Sequence, residues 1–83
     1  MSERVAIRLP DLDLPETKHR VSLWLVPIGA RVTRGDRILE IIADPITFDI
    51  SAPEDGRIVE KCVPEETDFE PGDCLGYLLV DGF

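Results

Sequence analysis

"VPIGARVTRGDRILEIIAD", residues 26–44, returns in outline as "VPEETDFEPGDCLGYLLVD", residues 63–81. The offset is 37 residues, Val26 to Val63. Val-Pro, Gly-Asp and the closing aspartate coincide, at Val26/Val63, Pro27/Pro64, Gly35/Gly72, Asp36/Asp73 and Asp44/Asp81. Apolar residues match at Val32/Phe69, Ile38/Leu75, Ile41/Leu78 and Ile42/Leu79. A spacing of this size can signal a solenoid, but two copies are too few to stack stably. Two copies in one small domain instead predict two similar halves related by a pseudo-twofold axis, with closure hiding the sheet edges.

Outward from the repeat, the apolar residues alternate. Val5, Ile7 and Leu9 fall on one face, with Arg4 and Arg8 on the other. Val21, Leu23 and Leu25 alternate with Ser22, Trp24 and Val26, and Ile46, Phe48 and Ile50 with Thr47, Asp49 and Ser51. Period two with β-branched and aromatic residues predicts strands. Seven prolines between Pro10 and Pro71 interrupt the chain too often for long helices. The expected class is all-β, a sandwich or barrel of short strands. Gly35-Asp36 and Gly72-Asp73 are each expected after a strand of two or three residues and before a longer one. Glycine there supplies a positive φ, and aspartate bonds nearby backbone amides, so both pairs read as structural.

Eighty-three residues make one domain, 1–83, with no room for a second core. A chain this short buries only about 60% of its unfolded surface, so its core has to be efficiently closed. A hydrophobic share of 43% beside a charged share of 31% is globular rather than disordered. The net charge of −8 argues against nucleic acid and against anionic membrane surfaces. No apolar run approaches the roughly 20 residues that span a bilayer. "MSERVAIRLP" lacks a secretory pattern, so the expected location is cytoplasmic. There Cys62 and Cys74 are expected as free thiols. Their spacing is too wide for a CxxC motif, and His19 is the only histidine, so no metal site is expected.

The repeat and its turns resemble the lipoyl/biotinyl carrier domain family over nearly the whole chain. "IRLPDL" at 7–12 is similar to that family's opening strand, and "VSLWLVPIGARVTRGDRILEI" at 21–41 to its Trp-Leu-Val, loop, Gly-Asp and Leu-x-Glu pattern. "ADPITFDISAPEDGRI" at 43–58 resembles the attachment hairpin with the Ala-Pro-x-x-Gly that follows, and "CVPEETDFEPGDCLGYL" at 62–78 the closing half. The resemblance implies a flattened barrel-sandwich hybrid of two antiparallel sheets with pseudo-twofold symmetry. One departure is Glu66, where the family usually has glycine; its repeat mate Gly29 keeps it.

The other departure decides the expected function. The resemblance places an acceptor lysine between an aspartate and a small residue at the hairpin tip, and here the triplet is Asp44, Pro45, Ile46. A carrier needs an amine that a ligase can acylate with lipoate or biotin, and the cofactor then performs the transfer. Proline has no such amine. It suits position i+1 of a type I turn with Asp44 at i, the turn expected here. The only lysines are Lys18 and Lys61. Lys61 matches Trp24 in the repeat and is expected as an ordinary sheet-face lysine. Lys18 lies in the polar loop "DLPETKHR", which the resemblance puts near the attachment turn, so it is the remaining candidate acceptor.

Other residues offer less. His19 with Ser22 suggests a nucleophile and base, but no Gly-x-Ser-x-Gly elbow supports it, and His19 is expected as a solvated loop residue. "PEETDFEPGD" lacks the aspartate spacing of a calcium loop and is expected as a solvated face. Trp24 is expected to pack structurally, on the sheet surface opposite Leu23 and Leu25, partly covered by the loop or exposed. The expected function is therefore a non-catalytic lipoyl/biotinyl-like interaction or scaffolding module, without cofactor, whose protein partner belongs to an acyl-transfer or carboxylase complex. The alternatives are a lipoate or biotin carrier modified at Lys18, and an adaptor-type lipoyl-like domain of a membrane-fusion assembly. A free-standing enzyme is disfavoured because no acid–base or nucleophile constellation is present.

Overall fold

Val21, Ile38, Leu39, Ile41, Ile58, Leu75 and Leu78 are completely removed from solvent, and they come from both copies of the repeat. The computed structural model describes residues 3–9 and 18–80, which form eight strands. These are β1 (Glu3–Arg8), β2 (His19–Trp24), β3 (Arg31–Val32), β4 (Arg37–Ala43), β5 (Ile46–Ser51), β6 (Gly56–Lys61), β7 (Thr67–Phe69) and β8 (Cys74–Val80). They pair antiparallel into two four-stranded sheets, ordered β1-β8-β6-β3 and β5-β4-β2-β7. The core lies between the sheets, where Ile7, Val32, Ile50 and Phe69 join the fully buried set. The all-β, two-sheet expectation holds. Residues 10–17, with the Pro-Asp-Leu and most of the polar loop, and the repeat's closing Asp81 lie outside the described residues.

The repeat sets the symmetry. Strands β6 and β8 stand where β2 and β4 stand 37 residues earlier, and β1 occupies in one sheet the edge that β5 occupies in the other. Irregularities repeat too. Pairing between β2 and β4 slips from Val21↔Ile41 to Leu23↔Glu40; between β6 and β8 it slips from Ile58↔Leu78 to Glu60↔Tyr77. Each slip is a bulge with one extra residue, Ser22 or Val59. The halves also clasp each other: Gly29 N donates to Ile58 O and Glu66 N to Val21 O, each at 2.6 Å. Both Gly-Asp turns are built alike. Gly35 and Gly72 take φ of 94° and 95°, Asp36 Oδ2 accepts from Thr33 N at 2.8 Å, and Asp73 Oδ2 accepts from Glu70 N at 2.9 Å. Each turn follows a strand of two or three residues, as expected.

The Ser22 bulge corrects the expected facing of β2. An extra residue inverts every side chain beyond it. Val21 faces the core, but Leu23 is 44% and Leu25 40% exposed, and Trp24 is the residue that turns inward, 6% exposed. Its Nε1 donates to Val63 O at 2.9 Å, which satisfies the one polar group the indole buries. Lys61 is likewise not an ordinary face lysine. The matching bulge at Val59 gives it Trp24's place in the other half, and its Nζ lies 5.4 Å from the indole ring centroid. Opposite Lys61 stands Gly76, and a Cβ there would lie 2.9 Å from Trp24 Cη2 and 2.5 Å from Glu60 O. The halves thus share one large side chain: Trp24 fills the volume that a second such residue would need.

Candidate functional site at the β4–β5 hairpin tip

Strand β4 runs inside its sheet between β5 and β2, and Ile38, Leu39, Ile41 and Ala43 are all buried. The ladder to β5 continues to Ala43↔Ile46, so the chain reverses in the two residues Asp44 and Pro45. Asp44, Pro45 and Ile46 are all exposed, Ile46 at 47%. The hairpin thus carries a buried root and a free tip: Ile50 is buried, Phe48 half-buried and Ile46 outside. The turn differs from the expected type. Pro45 occupies the second central position, not the first, and the Asp44–Pro45 peptide is cis, the arrangement of a type VI turn.

The register brings Lys18 to this tip. His19 pairs with Ala43, so Lys18, one residue earlier and exposed, lies at the same end of the sheet as Asp44. Lys61 does not reach the tip; it is held over Trp24 at the far end of its strand.

His19 itself is not a solvated loop residue. It opens β2, flanked by Ala43 and Phe69 on the adjoining strands, and is only 5% exposed. Its ring is tilted against Phe69 with centroids 5.7 Å apart, and Nδ1 is buried without a hydrogen-bond partner. Among the described residues it makes no hydrogen bond to Ser22, which sits on the bulge. Sequence reasoning missed this burial, although the repeat carried the signal: His19 is the mate of Gly56, which opens β6.

The acidic run is engaged locally. Asp68 Oδ1 accepts from Arg20 Nε at 3.0 Å, and Asp73 closes its own turn. Cys62 and Cys74 are free thiols. Although Cys62 as a residue is exposed, partial burial of its thiol, then Cys74 and Glu60 nearby, push it up to about 11. It is therefore protonated and a poor nucleophile near neutral pH. A cleft of about 420 Å³ opens between the edge strands β1 and β5, lined by Ile7, Phe48, Ile50, Arg8 and Asp49. It lies at the root of the hairpin, away from the tip.

Comparison with known proteins agrees with this architecture. Residues 5–78 match the biotin/lipoyl family described as "Biotin-requiring enzyme". The chain is 30% identical over 89% of its length to the dihydrolipoyllysine-residue acetyltransferase component of the acetoin cleaving system of Bacillus subtilis, and covers 19% of that protein. It is 35% identical over 69% of its length to the pyruvate dehydrogenase complex protein X component of Chaetomium thermophilum, covering 13% of it. It therefore spans at most about a fifth of these relatives. Among solved structures, the lipoyl domain of the 2-oxoglutarate dehydrogenase complex from Azotobacter vinelandii superposes with a TM-score of 0.72 at 29% identity, over 94% of this chain and 100% of that one. A single-chain, multi-domain long-chain acyl-CoA carboxylase shares the fold, with a TM-score of 0.75 at 20% identity over 96% of this chain and 7% of that one. With its repeat, its two related sheets and its exposed β4–β5 tip, this chain belongs to the biotin/lipoyl domain family.

Proposed function

We propose that this domain carries no cofactor and works as a protein-interaction or scaffolding module, in the cytoplasm, within or beside an acyl-transfer or carboxylase complex. One observation carries the reading. The tip of the β4–β5 hairpin, where the family resemblance expects the acceptor lysine, is Asp44-Pro45 followed by Ile46. The turn is kept and the amine is not, and without an amine a ligase has nothing to acylate. The relatives' names, as components of acetoin-cleaving and pyruvate dehydrogenase systems, support the choice of complex.

A second reading has its own support: Lys18 is exposed and directly precedes β2 at the end of the sheet where the His19↔Ala43 pair meets the tip, so an amine lies at that end, although not on the hairpin. The test is mass spectrometry of the protein isolated from its native cell, with fragmentation across Lys18 and Lys61. Unmodified lysines are expected. A lipoyl or biotinyl increment on Lys18 would establish the carrier reading in its place.

A further inference from the structure

Cys62 and Cys74 are the chain's only cysteines. Cys62 directly follows β6, and Cys74 opens β8, the strand paired with it. The Lys61↔Gly76 pair and the bond from Cys62 N to Leu75 O at 2.8 Å set Cys62 against Leu75, so Cys74 is one residue along from the opposite position. At the usual strand spacing and rise that offset puts the two Cα atoms about 6 Å apart, inside the roughly 4.4–6.8 Å that a disulfide bridges. The side chains converge as well. The Cys74 thiol is within hydrogen-bonding reach of the Cys62 thiol and of the Tyr77 hydroxyl. Cys62 Sγ donates to Glu60 Oε2 at 3.6 Å, and Cys74 Sγ to Gly76 O at 3.2 Å.

The other half shows that the backbone here does not require a pair of thiols. The repeat mates of Cys62 and Cys74 are Leu25 and Arg37. Leu25 N donates to Ile38 O at 2.9 Å, the same bond one repeat earlier. An apolar side chain and a guanidinium, both exposed, stand there in the places of the thiols. The charged groups around the thiols have partners of their own. Glu60 also pairs with Arg4, and Arg8, beside Cys74 on β1, donates to Gly72 O.

We propose that Cys62 and Cys74 form a reversible dithiol–disulfide pair, a modification site whose oxidant is a small disulfide. The site goes beyond the interaction reading and does not depend on the hairpin tip. Cys62, the exposed thiol, is the point of entry. Its thiolate attacks one sulfur of the small disulfide, that S–S bond breaks, and the departing thiolate takes up a proton. The Cys74 thiolate then attacks Sγ of Cys62, forms the Cys62–Cys74 bond and expels the second small thiol. The protein gives up two electrons and two protons, and the small disulfide becomes two thiols. Partial burial first, then Cys74 and Glu60, hold the Cys62 thiol up at about 11, so entry is slow near neutral pH. The pair therefore registers sustained oxidising conditions and does not turn over as a rapid oxidoreductase would. Val63, next to Cys62, accepts the Trp24 Nε1 bond, so the new cross-link ties β6 to β8 beside the indole.

The test treats the folded, reduced domain with glutathione disulfide under non-denaturing conditions and follows intact mass and linked fragments. The expected product has lost two hydrogens, carries a Cys62–Cys74 link, retains no glutathione and reverts fully with dithiothreitol. Its rate of formation should rise about tenfold from about pH 7 to about pH 8, as for a thiol far below its titration point. Cys74→Ser removes the resolving thiol and should stop at a lasting glutathione adduct on Cys62. Cys62→Ser leaves only the half-buried thiol and should slow the uptake of glutathione about tenfold. A folded wild-type domain that keeps glutathione on either cysteine, couples to a second copy of the chain, or stays unreacted while its denatured form is oxidised would overturn the proposal.

Discussion

Glu66 takes φ of 60°, at the place where its mate Gly29 takes φ of 90°. Both amides make the same 2.6 Å hydrogen bond to the opposite half, so the backbone is held in the left-handed region by the clasp and not by the side chain. For a residue with a Cβ that conformation costs about 1–2 kcal/mol, and glycine gives back part of the relief through its freer unfolded chain. Glu66→Gly should therefore stabilise the domain by about 1 kcal/mol, a rise in melting temperature of about 4–8 °C for a domain of this size. Thermal unfolding followed by circular dichroism measures it; an unchanged or lower midpoint would mean that the Glu66 side chain itself contributes. The family resemblance pointed to this position, but only the φ value gives the departure an energetic sign.

At the scale of elements, strand periodicity was readable wherever a strand is regular. Ile46, Phe48 and Ile50 share a face as their spacing requires, and β1 buries Ile7 with Leu9 packed beside the core. It failed at β2 because period-two reasoning counts every residue, and the Ser22 bulge adds one that the ladder does not count. Hence period two puts Leu23 and Leu25 on the wrong face and Trp24 on a surface. Composition gives no warning of such a slip; the pairing partners do. The hairpin tip was readable as a turn of Asp44 and Pro45, whereas the placement of proline within it depends on backbone geometry that the residue types leave open. The burial of Trp24 also makes Gly76 a sharp requirement of β8. A Cβ there meets Glu60 O at 2.5 Å, a backbone atom held in the β6 ladder, and the indole edge at 2.9 Å. Gly76→Ala should cost about 1–3 kcal/mol, the range for overpacking a filled core. Denaturant titration of Trp24 fluorescence would report it, and a loss below about 0.5 kcal/mol, the scale of a neutral surface change, would show that the indole moves aside freely.

For the whole molecule, the 37-residue repeat is more than a trace of pattern, because it fixes both the strand pairing and the reciprocal bonds between halves. It also allows the two halves to be compared as if each were a control for the other. Where their chemistry agrees, equal energetics should follow. Asp36 and Asp73 each accept one backbone amide, from Thr33 N and Glu70 N, and each donates its own amide back, to Thr33 O and Glu70 O. Among the described residues the two turns share no hydrogen-bond partner. Asp36→Ala and Asp73→Ala should therefore each cost about 1 kcal/mol, the value of a capping-type bond to an exposed amide, and the double variant should lose the sum within about 0.5 kcal/mol. Chemical denaturation of the two single variants and the double variant measures all three terms. If the halves unfolded separately, the double variant would show two transitions or a sum far from additive. The reciprocal clasp from Gly29 to Ile58 and from Glu66 to Val21 argues for a single cooperative transition, since neither half retains its loop without the other's strand.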